Sequence, residues 1–314
     1  MTSTQSPERR RTTPTRPGDR IFRGTSLAAA LLILATLAGV AVFLTAEGIP
    51  GMLASPDEVK HGTGFVDYVV PLVFGTLLAA VLALAMAVPL AIGVALFISH
   101  YAPRRLAAPL GYVIDLLAAV PSVVYGVWGI SFLAPSLVPM YRWLEDNLGF
   151  IPLFAGPASA TGRTILTAAI VLAVMVLPVI TAICREIFLQ TPRLHEEAAL
   201  ALGATRWEMA RLAIFPYARS GIISASMLGL GRALGETMAV AMVLSASGVV
   251  TFNLISSTNP STIAANIALT FNEATGLTVN ALIASGLVLF VITFGVNFMA
   301  RAIVDRRKDF SGAN

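Results

Sequence analysis

The feature that most constrains this chain is a series of six apolar runs, each long enough to cross a lipid bilayer as a helix. The runs cover residues 26–46, 70–98, 110–134, 163–183, 218–246 and 279–303. The hydrocarbon core of a bilayer is about 30 Å thick, which requires about 20 helical residues. Because lipid offers no partner for exposed backbone groups, such runs must be helical. The sequence therefore predicts an all-α integral membrane protein with six transmembrane helices.

Composition agrees with a membrane protein. Hydrophobic residues make up 56% of the chain and charged residues only 12%, about half the charge of an ordinary soluble domain. Pro89, Pro121 and Pro178 lie inside the apolar runs, where we expect them to kink helices whose freed carbonyls are covered by neighbours. The single cysteine, Cys184, excludes an intrachain disulfide and a cysteine-rich metal site. We expect Cys184 to be a buried, inert thiol.

The chain divides into four parts. Residues 1–24 are rich in Ser, Thr, Pro and Arg and poor in large apolar residues, so we interpret them as a disordered cytoplasmic tail. Residues 25–69 hold the first transmembrane helix and an outer loop, and the apolar run there is too long for a secretory signal. Residues 70–303 form the main transmembrane domain with a polar loop at 190–217. Residues 304–314 form a basic cytoplasmic tail.

Basic residues alternate from one connection to the next, which indicates the orientation of the chain. Short cytoplasmic segments of membrane proteins carry an excess of Lys and Arg. The basic segments here are the N-terminal tail, the connection at Arg104 and Arg105, the loop at 190–217 and the C-terminal tail. The intervening connections contain few basic residues. We therefore expect both termini and the loop at 190–217 to face the cytoplasm.

The loop at 190–217 contains the signals of a helix–turn–helix. Thr191 can cap a helix whose first turn contains Pro192, where a missing N–H costs nothing. Gly203 can end that helix in the left-handed conformation. Residues 205–208 read T-x-x-E, a capping box that begins a second short helix, and Pro216 is expected to end it. The loop is predicted to lie at the cytoplasmic face.

Two charges interrupt the fifth apolar run in the stretch GLGRALGETMAV, which begins at Gly229. Arg232 lies about 20 Å along the predicted helix, near the middle of the membrane. In a continuous helix, positions 229, 232, 233, 236 and 240 share one stripe. An internal Arg232–Glu236 salt bridge is one interpretation, since residues four apart can meet. A substrate pathway is the other, because charges inside membranes mark such pathways.

The second interpretation makes Arg232 the anion-binding residue. A guanidinium is always charged and offers paired donors to an oxyanion. Glu236 would then hold Arg232 in place when the site is empty, or repel the anion so that it is not trapped. Ser122 and Tyr125, on the third predicted helix, could add neutral donors.

The polar loop resembles the EAA motif of type I ABC-importer permeases. The matching residues are Glu197, Ala198, Ala199, Gly203 and Pro216. The family pattern ends I-x-L-P, whereas residues 213–216 read Ala-Ile-Phe-Pro, which keeps the apolar character. The resemblance implies that residues 190–217, called the coupling segment below, dock in a cleft of a cytoplasmic ATPase.

A second resemblance narrows the family. PSVVYG at 121–126, GRTILTAAIVLAVMVLP at 162–178 and GLGRALGETMAV are similar to the PstC-type permease of phosphate importers, a likeness that extends over about residues 70–303. It implies a multi-pass protein of the bacterial cytoplasmic membrane that translocates inorganic phosphate. The implied partners are a PstA-like permease subunit, two PstB-like ATPases and a PstS-like binding protein. The chain itself would bind no cofactor, and ATP with Mg would be used by the partner ATPase.

Other classes fit the sequence less well. A self-sufficient ATPase needs a phosphate loop ending in Lys-Ser or Lys-Thr, whereas the only lysines, Lys60 and Lys308, precede His61 and Asp309. A metalloprotease needs a second histidine where Ala199 follows His195. We therefore predict a transport subunit that is not an enzyme. Sulfate, molybdate and phosphonate would suit an arginine equally well, and an ion-coupled secondary transporter is the remaining alternative from another class.

Overall fold

The computed structural model describes residues 17–55 and 64–305, and these ranges are mostly helical. The helices, in chain order, are α1 (Pro17–Leu53), α2 (Phe65–Leu96), α3 (Arg104–Ala118), α4 (Ser122–Trp128), α5 (Ala134–Leu148), α6 (Ile165–Leu189), α7 (Arg193–Ala201), α8 (Arg206–Met209), α9 (Phe215–Leu234), α10 (Met238–Val243), α11 (Ile263–Thr270) and α12 (Leu277–Asp305). Three turns have π-helical hydrogen bonding: Phe97–Tyr101, Gly129–Leu133 and Ala210–Ile214. Within the ranges described, isolated β-bridges are present but no strand. The all-α prediction is confirmed.

Five of the helical stretches in the described ranges are long and apolar enough to cross a membrane. They are Gly18–Leu53, Phe65–Tyr101, Ser122–Leu148, Ile165–Leu189 and Leu277–Ala302. The first and second predicted spans each lie within one of them, and the fourth and sixth match Ile165–Leu189 and Leu277–Ala302 except for one or two residues at one end. The third and fifth predicted spans differ from the structure.

The third predicted span, 110–134, is two helices rather than one. The first, α3, ends at Ala118, and α4 begins at Ser122 directly after Pro121. A proline disfavours helical backbone in the residue before it and suits the start of a helix. The long apolar stretch is therefore displaced toward the C-terminus, to residues 122–148. Pro121 begins a helix instead of kinking one, whereas Pro89 and Pro178 lie inside α2 and α6 as predicted.

The fifth predicted span, 218–246, is also interrupted. It consists of α9 and the short α10, separated by Gly235, Glu236 and Thr237. The prediction of one continuous helix is wrong at this point. The interruption falls inside GLGRALGETMAV.

The N-terminal segment is helical further back than expected. Part of the tail assigned to residues 1–24 belongs to α1, which begins at Pro17. Proline is well suited to the first turn of a helix, and Asp19 in that turn interacts favourably with the helix dipole. Residues 1–16, and most of the C-terminal tail at 304–314, lie outside the described ranges.

The core is built around α6, which packs against both α2 and α9. The face of α2 toward the interior is a row of fully buried alanines spaced four residues apart: Ala79, Ala83, Ala87, Ala91 and Ala95. Small side chains let two membrane helices approach closely. Gly229 likewise lets α9 approach α6 closely, because a Cβ at that position would lie only 2.6 Å from Ile180 Cδ1 on α6. Cys184 is fully buried in this core, as predicted.

The helix α1 packs mainly on α12 and only through its C-terminal part. A Cβ at Gly51 would collide with the backbone of Asn280 and Ala281. The Asn280 side-chain amide donates to the Glu47 carbonyl at 2.7 Å. The first and last long helices are therefore in direct contact.

The loops 149–164 and 244–262 interlock at the end of the bundle opposite the coupling segment. Asn259 is fully buried there. Its amide donates to the carbonyls of Ser245 and Ser256, and its side-chain oxygen accepts from the backbone N–H of Ile165. This one side chain therefore holds both loops against the start of α6.

Candidate functional site: a broken helix and a coupling segment

The interruption between α9 and α10 is stabilised by Glu236. The helix α9 ends when Gly235 adopts φ −92° and ψ 0°, which leaves the first N–H groups of α10 without helical partners. The side chain of Glu236, only 8% exposed, turns to the start of α10 and accepts a hydrogen bond from the backbone N–H of Ala239 at 3.0 Å. Glu236 therefore acts as a cap of α10.

Arg232 and Glu236 do not form the internal salt bridge considered from the sequence. In the part of the chain that the structure describes, the ion pairs are His100–Glu196, Arg185–Asp115 and Arg185–Glu186. The proposed stripe of positions 229, 232, 233, 236 and 240 is also interrupted, because the helix ends at Leu234. The two charges lie on different sides of the break and have different surroundings.

Arg232 faces a cleft between α9 and α12, with a volume of about 1130 Å³. The residues that line this α9–α12 cleft are Val179, Ile223, Ser224, Met227, Leu228, Gly231, Arg232, Phe294, Asn297, Phe298, Ala300 and Arg301. Gly229 and Ala233, which flank Arg232 on the helix, are buried. Arg232 is thus half-buried on an open surface of the bundle, within two turns of the break.

The short helix α4 brings Tyr125 into the same region. A Cβ at Gly126 would lie 2.9 Å from Cα of Ala239, so α4 and α10 are in close contact. The Tyr125 hydroxyl is within electrostatic range of Arg232. That hydroxyl donates to the carbonyl of Leu117 at 2.9 Å, across the gap between α3 and α4. The hydroxyl hydrogen of Tyr125 is therefore already used in a hydrogen bond in this conformation.

Ser122 is placed differently from Tyr125. It is half-buried at the first position of α4 and is not part of the close contact between α4 and α10. Of the four residues proposed for the pathway, Arg232 alone is among those given as lining the α9–α12 cleft. Three of the four residues proposed for the pathway, Arg232, Glu236 and Tyr125, thus gather around the break. The fourth, Ser122, lies one turn away on α4.

The coupling segment forms the predicted helix–turn–helix. The first helix, α7, ends at Ala201, and Gly203 just after it has φ +86°, a left-handed conformation that favours glycine. The N–H groups of Gly203 and Ala204 bond back to the carbonyls of Leu200 and Ala199. The Thr205–Glu208 capping box is present in full and begins α8. Both predictions are confirmed.

Two details of the coupling segment differ from the prediction. Thr191 does not cap α7, because α7 begins after Pro192 and the buried Thr191 hydroxyl has no hydrogen-bond partner. Pro216 does not end α8 but lies in the first turn of α9, where its missing N–H is harmless. The π-helical turn Ala210–Ile214 joins the two, so residues 206–234 are helical throughout.

The face of the coupling segment that points away from the bundle is exposed and partly apolar. Glu197 and Ala198 are exposed, whereas Ala199 is half-buried against the core. Its exposed large apolar side chains are Leu194, Leu200, Leu202, Trp207, Leu212 and Tyr217. Exposed apolar patches on a protein surface often mark contacts with another protein.

A contact that the sequence did not suggest joins the coupling segment to α2. The His100 ring Nε2 lies 3.3 Å from Glu196 Oε1, and its Nδ1 lies 2.7 Å from Ser99 Oγ. The side chain of His100 is only 11% exposed, so this contact lies mostly inside the protein. The partners are 96 residues apart in sequence, so no local signal could have revealed this contact.

The fold itself is shared with solved importer structures. The chain aligns with a structure of the MetNI methionine ABC transporter described as inward-facing, with a TM-score of 0.51 at 15% identity over 77% of this chain and 95% of that one. It also aligns with a bacterial ABC transporter involved in alginate import, with a TM-score of 0.52 at 18% identity over 91% and 99% of the two chains. The fold is therefore that of the transmembrane subunit of a type I ABC importer.

Sequence comparison identifies the family. Residues 87–309 match the family of binding-protein-dependent transport system inner membrane components. The phosphate transport system permease protein PstC 2 of Mycobacterium tuberculosis is 46% identical, covering 92% of this chain and 93% of that one. PstC proteins of Mycobacterium leprae and Mesorhizobium japonicum are 42% and 39% identical, over 92% and 94% of this chain and 94% and 92% of those proteins. This chain belongs to that permease family and is a multi-pass membrane protein.

Proposed function

We propose that this chain is one half of the transmembrane pathway of an ATP-driven phosphate importer. The relatives that match it over most of its length are named as phosphate permeases. The observation on which the proposal depends most is the position of Arg232, half-buried beside a break in α9 and facing a cleft of about 1130 Å³. An arginine inside a membrane is costly, which favours a role in the passage of an anion.

Arg232 supplies the charge and the paired N–H donors that a phosphate oxyanion accepts. Glu236 serves a different purpose, because its side chain caps α10 and keeps the interruption open. Tyr125 could release the Leu117 carbonyl and donate to the anion when α4 moves relative to α3. Ser122 would join the pathway only through such a movement.

The coupling segment would transmit the motion of a partner ATPase. Glu197 and Ala198 are exposed with the apolar side chains beside them, and Gly203 fixes the turn. The partners we propose are a PstA-like permease subunit, two PstB-like ATPases that use ATP and Mg, and a PstS-like binding protein. This chain would contribute no catalytic residue and bind no cofactor.

Arg232→Gln in the reconstituted complex tests the proposal. It should lower ATP-driven uptake of radiolabelled phosphate about a hundredfold or more, the factor that corresponds to about 3 kcal/mol for hydrogen bonds to a charged group. Assembly and basal ATPase activity should survive. Arg232→Lys should also be badly impaired, because an ammonium keeps the charge but lacks the planar pair of donors.

Competition with sulfate and molybdate in the same assay identifies the anion, and only phosphate should compete strongly. Normal uptake by Arg232→Gln, or a loss of uptake caused by dissociation of the complex, would assign Arg232 a structural role. Uptake that continues without ATP would favour an ion-coupled carrier instead.

The proposed orientation has six transmembrane helices, both termini in the cytoplasm, and α9 with α10 as the fifth crossing. Thr205 and Ser257 are both exposed and lie at opposite ends of the bundle in this arrangement. In intact cells a membrane-impermeant thiol reagent should label Ser257→Cys and leave Thr205→Cys unlabelled. The buried Cys184 should not interfere. The reverse labelling pattern would overturn the orientation.

A further inference from the structure

The α9–α12 cleft contains a second arginine, Arg301, which the motifs that identify the family do not include. Arg232 comes from α9 and Arg301 from α12, and both line the cleft. The lining extends from Ile223 to Arg232 on α9, a rise of about 13 Å, and from Phe294 to Arg301 on α12, a rise of about 10 Å. The cleft is therefore about two helical turns long.

The positive charge of the cleft is not balanced by acidic residues around it. Among the described residues, those that line the cleft include two arginines and no Asp or Glu. The walls between the arginines are apolar, with Met227, Leu228 and Phe298 among them. Two cations that face one cleft without a carboxylate raise the positive potential inside it. An anion in the cleft would be attracted by both guanidinium groups.

The polar groups beside the arginines are the Ser224 hydroxyl, whose hydrogen is already donated to the Ser220 carbonyl, and the exposed side chain of Asn297. The two arginines therefore supply the donors that are left for an anion. A tetrahedral phosphoryl group presents oxygens in several directions, so it can contact guanidinium groups from two helices at once.

We infer that the α9–α12 cleft is a binding site for a phosphoryl anion and that Arg301 holds the anion together with Arg232. This inference rests on the proposed function, because it places the site next to the residue assigned to the pathway. The occupant is free phosphate leaving toward the cytoplasm or the headgroup of an anionic lipid, since both present the same phosphoryl oxygens.

Cysteine protection in the complete complex tests the site. Asn297→Cys is introduced while the buried Cys184 is kept, and the complex is reconstituted so that its cytoplasmic face is accessible to an impermeant maleimide. One arm adds inorganic phosphate to vesicles of phosphatidylcholine. At about ten times its dissociation constant, phosphate should slow labelling about tenfold. The other arm omits phosphate and adds phosphatidylglycerol to the vesicles, and slower labelling there would identify a lipid headgroup as the occupant.

Combining Asn297→Cys with Arg301→Gln should remove the protection. Arg105→Gln is the matched control, because Arg105 is an exposed arginine on α3 that does not line the cleft. This control should keep the protection in full. Arg301→Gln alone should lower the maximal rate of phosphate uptake about tenfold and leave the half-saturating external phosphate unchanged, whereas Arg105→Gln should leave both unchanged.

Several outcomes would overturn the inference without affecting the proposed function. Labelling that neither phosphate nor phosphatidylglycerol slows would show that the cleft takes no phosphoryl anion. Failure to label Asn297→Cys while Thr205→Cys is labelled would show that another subunit covers the cleft. If Arg232→Gln still abolishes uptake in either case, the proposed function stands and only the role of Arg301 fails. Normal uptake by Arg232→Gln would contradict the proposed function itself.

Discussion

Two helix interruptions in this protein, at Gly203 and at Gly235, are built in different ways. Gly203 lies in an exposed turn at φ +86°, and a Cβ there would meet no atom within 4 Å. Gly235 has φ −92°, which any residue can adopt, and it is followed by a buried glutamate that caps the next helix. The first interruption depends on the backbone of one residue, whereas the second depends on a side chain and on the packing of α10 against α4.

The difference between the two interruptions makes Gly203→Pro the most damaging change. Proline is restricted to φ near −65° and cannot adopt the conformation of Gly203. We expect the protein to reach the membrane but to lose ATP-driven phosphate uptake, because the turn between α7 and α8 would be rebuilt. The measurement is uptake by proteoliposomes, together with recovery of the ATPase on purification.

Alanine at the two glycines is the matched control for this prediction. Gly203→Ala should lower stability by about 1–2 kcal/mol, the cost of a side chain in the left-handed region. Gly235→Ala should be nearly neutral, since the nearest atom to its Cβ would be the Gly231 carbonyl oxygen at 3.5 Å. Equal effects of the two alanine substitutions would contradict the proposed difference. Full ATP-driven uptake by Gly203→Pro would reduce the coupling segment to a simple connector.

Substitutions of Glu236 are expected to have effects of intermediate size. Glu236→Ala removes the acceptor for the Ala239 N–H, and loss of such a cap should lower stability by about 1 kcal/mol. Glu236→Gln retains a side-chain oxygen at the same position and should preserve most of the stability. Thermal unfolding of the purified complex, followed by tryptophan fluorescence, compares the two variants. Uptake that is lost equally in both would indicate that the negative charge acts on the pathway.

The smallest effect is expected at the capping box of α8. Hydrogen bonds from the Thr205 backbone N–H, and then from its hydroxyl, lower the pKa of Glu208 below its usual value. A carboxylate with a lowered pKa in the folded state stabilises that state fully above the unfolded pKa, about 4.3, and loses this contribution as the pH falls through the folded value. The difference in melting temperature between the parent protein and Glu208→Ala should therefore be present at pH 7 and shrink below about pH 4. A difference independent of pH would exclude this ionic contribution.

The features that were predictable from the sequence depend on neighbouring residues alone. Four of the six apolar runs, the left-handed Gly203 and the capping box at Thr205 are each specified by a continuous segment of sequence, and the structure has all of them. The arginine in GLGRALGETMAV was also visible as a charge in an apolar run, and it does line a cleft.

The features that were missed depend on contacts between distant parts of the chain. The break at Gly235 is stabilised where α10 meets α4, and Glu236 turns to cap α10 only because the helix has ended. The His100–Glu196 contact and the cleft that Arg232 and Arg301 both line join residues far apart in sequence. The spacing of apolar residues along the sequence does not indicate such contacts between distant residues.

The contact between α1 and α12 has a consequence for how the chain matures. Among the described residues the main partner of α1 is α12, whose Asn280 and Ala281 lie against Gly51 but are synthesised about 230 residues later. Ribosomes add about 5–20 residues per second, so α1 waits on the order of ten seconds or more for α12. During that interval its apolar surface is solvated by lipid or by other proteins of the membrane. A chain truncated before α12 therefore leaves α1 without this partner, which gives membrane quality-control proteases a means to recognise unfinished copies.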